Sequence, residues 1–153
     1  MGTHYKGTKA EVRALDTFIK LMRCSNSVQA PLDRRLDEEG LTSTQFGVLE
    51  TLLHLGPRCQ RELGEKLLTS GGNITTVVDN LERRNLVQRV RSAEDRRFVS
   101  VHLTDEGRAL IEKVFPRHAA RITESMSVLT PAEQEELARL CKKLGLGQQA
   151  LGG

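Results

Sequence analysis

Residues 73–87 read NITTVVDNLERRNLV, and this stretch decides the fold because its hydrophobic period changes partway along it. Aliphatic residues recur at helical spacing in its first part, which predicts an amphipathic helix ending near Arg84. From Leu86 onward apolar and polar residues alternate, which predicts a strand. The predicted buried stripe of the helix is Ile74, Val77, Val78 and Leu81.

The polar face of this helix carries small, hydrogen-bonding residues near its N-terminus, with Ser70 as the expected N-cap. Asn can pair with adenine, Thr can use its hydroxyl or touch a thymine methyl group, and a helix N-terminus favours phosphate. The same residues would also suit an ordinary capped helix with a solvated face. The candidate DNA-reading residues are Ser70, Gly71, Gly72, Asn73, Thr75, Thr76 and Asn80.

A hairpin follows directly, with alternating strands predicted at residues 86–90 and 98–103 around a charged tip at 91–97. Arginine suits the narrow, electronegative minor groove, although a charged loop is often only a solvated tip. The charged loop directly follows a helix that could read DNA bases, and this position favours DNA contact. A carboxylate facing phosphate needs another role, so we expect Asp95 to brace Arg97 or a neighbouring arginine. The candidate wing residues are Arg89, Arg91, Asp95, Arg96 and Arg97.

Two short helices are predicted before this unit. Residues 42–45, TSTQ, form a capping box for a helix that ends before Gly56, and a shorter helix is expected at 60–68. Short helices joined by tight turns and followed by a charged hairpin are typical of a winged helix-turn-helix. Arg58, Gln60 and Arg61 are candidate contacts to the DNA backbone.

Long amphipathic helices flank this core. The first is predicted at residues 8–36, with a kink or break near Gln29 because Pro31 removes a backbone donor. Two more are predicted after Thr104 and after Thr130, followed by a frayed, glycine-rich tail. We expect an N-terminal dimerisation helix at 1–40, a DNA-binding domain at 41–104, C-terminal dimerisation helices at 105–145 and a flexible tail at 146–153. The fold class is therefore mainly α with a two-stranded β wing.

The flanking helices carry more apolar residues than a small winged domain can cover alone. Left in water they would form a large hydrophobic patch. Pairing between two chains would bury this surface, which favours a homodimer. The alternative is that the flanking helices fold back onto their own domain.

The composition limits the classes of protein to which this chain can belong. The chain has 153 residues, a formal net charge of +3 and 3% aromatic residues, which is compatible with duplex DNA but weak evidence for it. Its polar start and the absence of a long apolar run predict a cytoplasmic protein that does not enter a membrane. The three widely spaced cysteines fit reduced thiols. No catalytic motif, phosphate-binding loop or metal-ligand spacing is recognisable, so we expect neither an enzyme nor a cofactor.

Several stretches together resemble the MarR family of winged helix-turn-helix transcription regulators. They are residues 41–46, 61–67, 73–87, 95–97 and 101–107, so the resemblance covers roughly 41–108, with flanking helices that extend it. It implies a homodimer that reads a pseudo-palindromic operator in double-stranded DNA, with Arg97 in the minor groove and Asp95 as its partner. Two departures are Gly71-Gly72, where many members carry bulkier residues, and Asn85 in place of a glycine.

The resemblance also implies a repressor released by a small phenolic or amphipathic ligand bound between the dimerisation region and the DNA-binding domain. Candidate cleft residues are Phe18, Met22, Arg23, Phe46 and His54. Some members are instead switched by thiol oxidation, for which Cys59, beside Arg58 and Arg61, and then Cys24 are the candidates. Each of these cysteines is also explained as a small hydrophobic residue, and His54 as a surface or interface histidine.

A second class of function stays open at this point: a winged-helix module that docks on a protein rather than on nucleic acid. The dependence of binding on salt separates the two, because neutralising several phosphates makes affinity fall steeply as salt rises.

Overall fold

The computed structural model describes residues 2–67 and 71–152. Within them the chain forms six helices and a two-stranded antiparallel sheet, which confirms the predicted fold class and element order. The elements are α1 Lys9–Glu38, α2 Ser43–Leu55, α3 Gln60–Lys66, α4 Gly71–Arg83, β1 Val87–Arg91, β2 Val99–Leu103, α5 Asp105–Met126 and α6 Pro131–Leu151.

The first helix, α1, runs unbroken for 30 residues, so of the kink or break predicted near Gln29 the break does not occur. Thr8 starts it with a capping box, in which the Thr8 side chain and the Glu11 side chain each accept from the other residue's backbone N–H. Pro31 lies inside the helix. A proline removes a single main-chain hydrogen bond, and the helix continues because the many hydrogen bonds of the turns on either side of Pro31 maintain it.

The hydrophobic core lies where α2, α4 and the hairpin meet the end of α1 and the start of α5. The predicted stripe of α4, Ile74 to Leu81, is buried as expected, and Leu63 of α3 packs with it. Leu67 packs partly buried against the same cluster, while Leu68 lies outside the described residues. Core residues of which at most 2% is exposed include Leu36, Leu41, Val48, Leu49, Leu52, Leu63, Ile74, Val78, Leu81, Val87, Val101, Ile111 and Val114.

The hairpin pairs Val87 with Leu103 at its base and Arg91 with Val99 near its tip, one residue later on the first strand than predicted. Arg58 extends the sheet, because its backbone N–H and C=O both bond to Val101 at 3.3 and 2.8 Å. The wing is therefore attached to the α2–α3 connection as well as to α4.

A close approach of the backbone fixes α5 beside the base of the wing. Thr104 caps α5: its hydroxyl donates to the carbonyl of Asn85 and accepts from the N–H of Gly107. Asn85 has φ 58°, the left-handed conformation expected after α4. A Cβ atom placed on Gly107 would lie 1.9 Å from the carbonyl oxygen of Leu86. Only glycine fits at this position.

The chain divides into two compact units, residues 1–118 and 119–153. In the second unit, Thr130 caps α6, and the Gln134 side chain donates to the carbonyls of Met126 and Leu129. The helix α6 continues through Leu151, so it does not end near Gly145 as expected. Each helical glycine costs only about 1 kcal/mol relative to alanine, which surrounding helix-forming residues can offset. The predicted divisions at residues 40 and 104 remain predictions. None of the described helices is long and apolar enough to cross a membrane.

Replacing Gly107 with alanine should lower the free energy of unfolding by roughly 3 kcal/mol, because the new methyl group would overlap the backbone of Leu86. Gly145→Ala is the control: nothing lies within 4 Å of its added Cβ, and alanine favours helix by about 1 kcal/mol. Urea unfolding of both variants at one protein concentration tests this. Equal stability of the two variants would show that α5 can move away from Leu86 at little cost.

Candidate nucleic-acid interface

The N-terminal turns of α4 present an uncrowded surface. Gly71, Gly72, Asn73, Thr75 and Thr76 are exposed, and the first turn contains no acidic residue. An added Cβ on either glycine would meet no atom of the described residues within 4 Å, so the backbone here is open to close approach. The helix dipole adds positive potential at this end. Ser70, the predicted cap, lies outside the described residues.

The polar side chains on this face differ in the hydrogen bonds that they already make within the protein. Thr75 Oγ1 donates to the Gly71 carbonyl at 2.9 Å and accepts from Gln60 Nε2 at 3.1 Å, which ties it to α3. Thr76 Oγ1 donates to the Gly72 carbonyl at 3.2 Å. Asn80, about one turn after Thr76 and half-buried, accepts from Arg83. Thr76 is therefore better placed than Thr75 to meet a ligand.

Arg89 on β1 connects three elements through one guanidinium. Its Nη2 lies 2.6 Å from Asp79 Oδ1, its Nη1 2.9 Å from Glu82 Oε1, and its Nε 2.8 Å from Gln60 Oε1. The backbone N–H of Arg89 donates to the second oxygen of Glu82 at 2.8 Å. Only 24% of the Arg89 side chain is exposed. We call Arg89, Asp79, Glu82 and Gln60 the Arg89 network.

The Arg89 network gives two of the predicted DNA-contact residues a different role. Arg89 and Gln60 were both predicted to contact DNA, yet each bonds to other elements of the fold, Gln60 reaching both Thr75 of α4 and Arg89 of β1. Asp79 and Glu82 were not singled out from the sequence. Because Asp79 and Glu82 are three residues apart, both carboxylates lie on one side of α4. This spacing is the feature of the sequence from which they could have been identified.

The wing tip is organised around Asp95. Its carboxylate accepts from Arg97 Nη2 at 2.8 Å, from Arg97 Nε at 3.1 Å and from the Arg97 backbone N–H at 3.0 Å. The predicted Asp95–Arg97 bracing is thus confirmed. The side-chain hydrogen bonds lower the pKa of Asp95 and raise that of Arg97. The Arg97 side chain remains 87% exposed, so it is held in place while facing solvent.

The other predicted basic residues surround this tip. Arg91 Nη1 donates to the carbonyl of Arg96, and Arg96 is exposed. On the α3 side, Arg58 Nη1 donates to the Pro57 carbonyl and Arg61 pairs with Glu65 at 2.9 Å. A groove of about 360 Å³ separates the start of α3 from the wing, and we call it the wing groove; it is lined by Cys59, Gln60, Arg61, Arg89, Arg97, Phe98 and Val99.

The predicted ligand-cleft residues fall into two groups. Phe46 is a core residue whose ring lies 4.3 Å from that of His118 and stacks with Phe115 at 6.3 Å. His54 meets Phe115 edge-on at 4.6 Å. Phe18, Met22 and Arg23 are exposed on α1. Phe46 and His54 thus share a contact with Phe115, but the burial of Phe46 assigns its ring to the core.

The cysteines are free thiols. Cys24 and Cys141 are exposed on α1 and α6, whereas Cys59 is half-buried at the start of α3, where its N–H donates to Glu62 at 3.3 Å. No group of three or more His, Cys, Asp and Glu side chains suited to a metal ion occurs in the described part of the chain.

Comparison with known proteins points to one family. The model of the MarR family matches residues 41–99. The chain is 39% identical to YkoM, an uncharacterised HTH-type transcriptional regulator of Bacillus subtilis, over 91% of this chain and 90% of the relative. It is 38% identical to the HTH-type transcriptional regulator MhqR of the same organism, over 88% and 92%.

Solved structures agree with this assignment. AbsC, a MarR family regulator of Streptomyces coelicolor, shares the fold with a TM-score of 0.84 at 20% identity, over 95% of this chain and 99% of that one. A cysteine-to-serine mutant of Escherichia coli MarR, solved with operator DNA, has a TM-score of 0.71 at 28% identity, over 84% and 95%. Bordetella bronchiseptica BpsR, whose DNA binding is regulated by 6-hydroxynicotinic acid, has a TM-score of 0.75 at 29% identity, over 84% and 98%.

Changing Arg89 to alanine should lower the free energy of unfolding by roughly 1–3 kcal/mol, because Asp79 and Glu82 lose a shared cationic partner. Arg96→Ala, which removes an exposed arginine from the wing tip, should change it by less than about 0.5 kcal/mol. Chemical denaturation measures both. If Arg89→Ala were as stable as Arg96→Ala, the network would not contribute to holding the wing.

Changing Arg97 to alanine should raise the pKa of Asp95 toward its ordinary value, because the side-chain hydrogen bonds that favour the carboxylate are lost. The rise should be incomplete, since the backbone N–H of residue 97 still donates to Asp95. NMR titration of the Asp95 carboxyl group measures this, with Arg96→Ala as the control that leaves the pKa in place. An Asp95 pKa unaltered by Arg97→Ala would mean that the pair does not form in solution.

Proposed function

Because this chain belongs to the MarR family of DNA-binding transcriptional regulators, which are not enzymes, we propose that it is a homodimeric repressor that leaves its operator when a small phenolic or amphipathic ligand binds. The observation that carries the proposal is the Arg89 network, which joins α4 to the wing. Two surfaces suited to neighbouring grooves are thereby presented by a single rigid unit.

The N-terminal end of α4 enters the major groove in this proposal. Gly71 and Gly72 let the backbone come close to the duplex, and Asn73 and Thr76 meet base edges. Ser70, Thr75 and Asn80 belong to the same surface. The positive end of the helix favours the adjacent phosphates.

The wing follows the DNA backbone to the next minor groove. Arg97 enters that groove, where the negative potential is strongest, and Asp95 limits the side-chain entropy that Arg97 loses on binding. Arg91 and Arg96 of the wing, with Arg58 and Arg61 on the α3 side, neutralise phosphates. Arg89 and Gln60 act by holding this frame together rather than by direct contact.

Two copies of the chain form the functional unit. On α1 the side chains of Leu15, Phe18 and Met22 are exposed, and on α6 those of Leu137, Leu140 and Leu144 are exposed at helical spacing. Apolar stripes of this kind are covered when a second copy pairs with them. A two-fold dimer presents two α4 helices, which matches a pseudo-palindromic operator on cytoplasmic DNA.

Release by a ligand follows the behaviour of a relative. BpsR has DNA binding regulated by 6-hydroxynicotinic acid, a small aromatic compound with a hydroxyl group. In this chain the exposed Phe18, Met22 and Arg23 of α1 and the exposed His54 of α2 offer apolar and polar contacts for a ligand of that type.

The sharpest test is selection of bound duplexes from a random pool with the full chain, repeated with candidate phenols and with an oxidant. A pseudo-palindromic consensus that is depleted when a phenol is added supports the proposal. Depletion by oxidant alone would indicate a thiol switch instead. Failure to enrich any sequence would contradict sequence-specific binding.

Changing Arg97 to alanine should weaken operator binding by about 1–3 kcal/mol and reduce the salt dependence, because the loss of a minor-groove cation removes an electrostatic contact. The control is Arg35→Ala, which removes an exposed arginine at the end of α1. Fluorescence anisotropy at several salt concentrations measures both. If Arg97→Ala and Arg35→Ala bind equally well, the wing has no part in recognition.

Changing Thr76 to alanine should alter which bases are preferred more than it weakens binding to unrelated DNA, because base-edge contacts carry the sequence information. Repeating the duplex selection with this variant shows the change directly. A uniform loss of affinity on all sequences would contradict a base-reading role.

A further inference from the structure

Phe98 stands out on the wing because its ring is held in solvent. The residue is 67% exposed, although its backbone is fully engaged: its N–H donates to Asp95 at 3.0 Å and its carbonyl accepts from Ser92 at 2.9 Å. These bonds fix the backbone from which the ring projects, next to Arg97 in the chain. A large apolar group presented in this way is a candidate contact surface.

The ring lines the wing groove, which has two kinds of wall. Phe98, Val99 and Cys59 supply apolar surface, and Arg61 and Arg97 supply positive charge. Both of these arginine side chains are 87% exposed and each is paired with a single carboxylate, Arg61 with Glu65 and Arg97 with Asp95. At the inner end, Gln60 and Arg89 are held by the Arg89 network and need not move.

The groove has the size and chemistry of one sugar–phosphate unit. Its volume of about 360 Å³ lies near the lower end of small-ligand pockets, which span roughly 300–1,000 Å³. Deoxyribose offers an apolar face and the adjoining phosphate a negative charge, which matches the two walls. When Arg97 enters the minor groove, the ring next to it meets the sugars of the strand that borders that groove.

We propose that the wing groove binds one sugar–phosphate unit of duplex DNA, with Phe98 packed against the deoxyribose and Arg61 facing the phosphate. This inference rests on the proposed function and adds an apolar anchor to it. Phe98 increases affinity on every sequence alike, because every nucleotide presents the same sugar.

The first test uses Cys59 as a reporter inside the groove. The full chain is treated with iodoacetamide, with and without its selected operator duplex, and the modified cysteines are identified by mass spectrometry. Bound duplex should slow alkylation of Cys59 at least tenfold. Unchanged alkylation of Cys59 at saturating duplex would overturn the proposal, and equal protection by a mononucleotide alone would overturn the assignment to duplex.

The second test replaces the ring. Phe98→Ala should weaken binding about tenfold, the change that corresponds to about 1.4 kcal/mol, with an unaltered slope of affinity against salt. Phe98→Leu should keep most of the affinity, because the apolar contact persists. Thermal melting checks that both variants fold, as the exposure of Phe98 leads us to expect.

The outcomes separate the two claims. If the wild-type chain binds duplex DNA but Phe98→Ala binds within twofold of it, the apolar anchor is wrong and the proposed function stands. If the wild-type chain binds no duplex at low salt, both are wrong. A reduced salt slope in Phe98→Ala would show that the variant has lost an ionic contact, and this too would overturn the anchor.

Discussion

The arrangement of the proposed DNA-binding surface depends on the guanidinium of Arg89. Three elements that are separate in sequence meet at this group: α3 through Gln60, α4 through Asp79 and Glu82, and the wing through the Arg89 backbone. Since guanidinium is planar, its donors fix direction as well as distance. The wing therefore keeps a defined angle to α4, and the cost of ordering the two surfaces is met during folding rather than during binding.

The wing tip is also ordered during folding rather than during binding, because Asp95 holds Arg97 in an exposed position. Because the folded state lowers the pKa of Asp95, the stabilisation from this pair is present above the ordinary pKa of an aspartate and is lost only as pH falls through the lowered value. The brace is accordingly intact at neutral pH. A carboxylate that would repel phosphate on its own becomes part of a prepared cationic contact.

Local patterns were sufficient to predict the order of elements, the buried stripe of α4 and the Thr42 capping box. They failed where the surrounding helical turns stabilise a helix more than a single proline or glycine destabilises it, as at Pro31 in α1 and at the glycines of α6. The roles of Arg89, Gln60 and Phe46 depend on which surfaces meet in the fold, and no spacing along the chain reveals that. Phe98 begins the second predicted strand, and in the sequence an exposed phenylalanine there looks the same as an ordinary apolar residue of a strand.

In the proposed complex, α4 and the wing bind duplex DNA as one unit, twice in each dimer. Its most direct test is the affinity of the wild-type chain for its selected operator as a function of salt. Each phosphate neutralised contributes roughly 0.9 to the slope of log affinity against log salt, so two copies that each use Arg58, Arg61, Arg91 and Arg96 predict a slope of about −7. A slope near zero, or no binding at low salt, would show that α4 and the wing do not bind duplex DNA in this way.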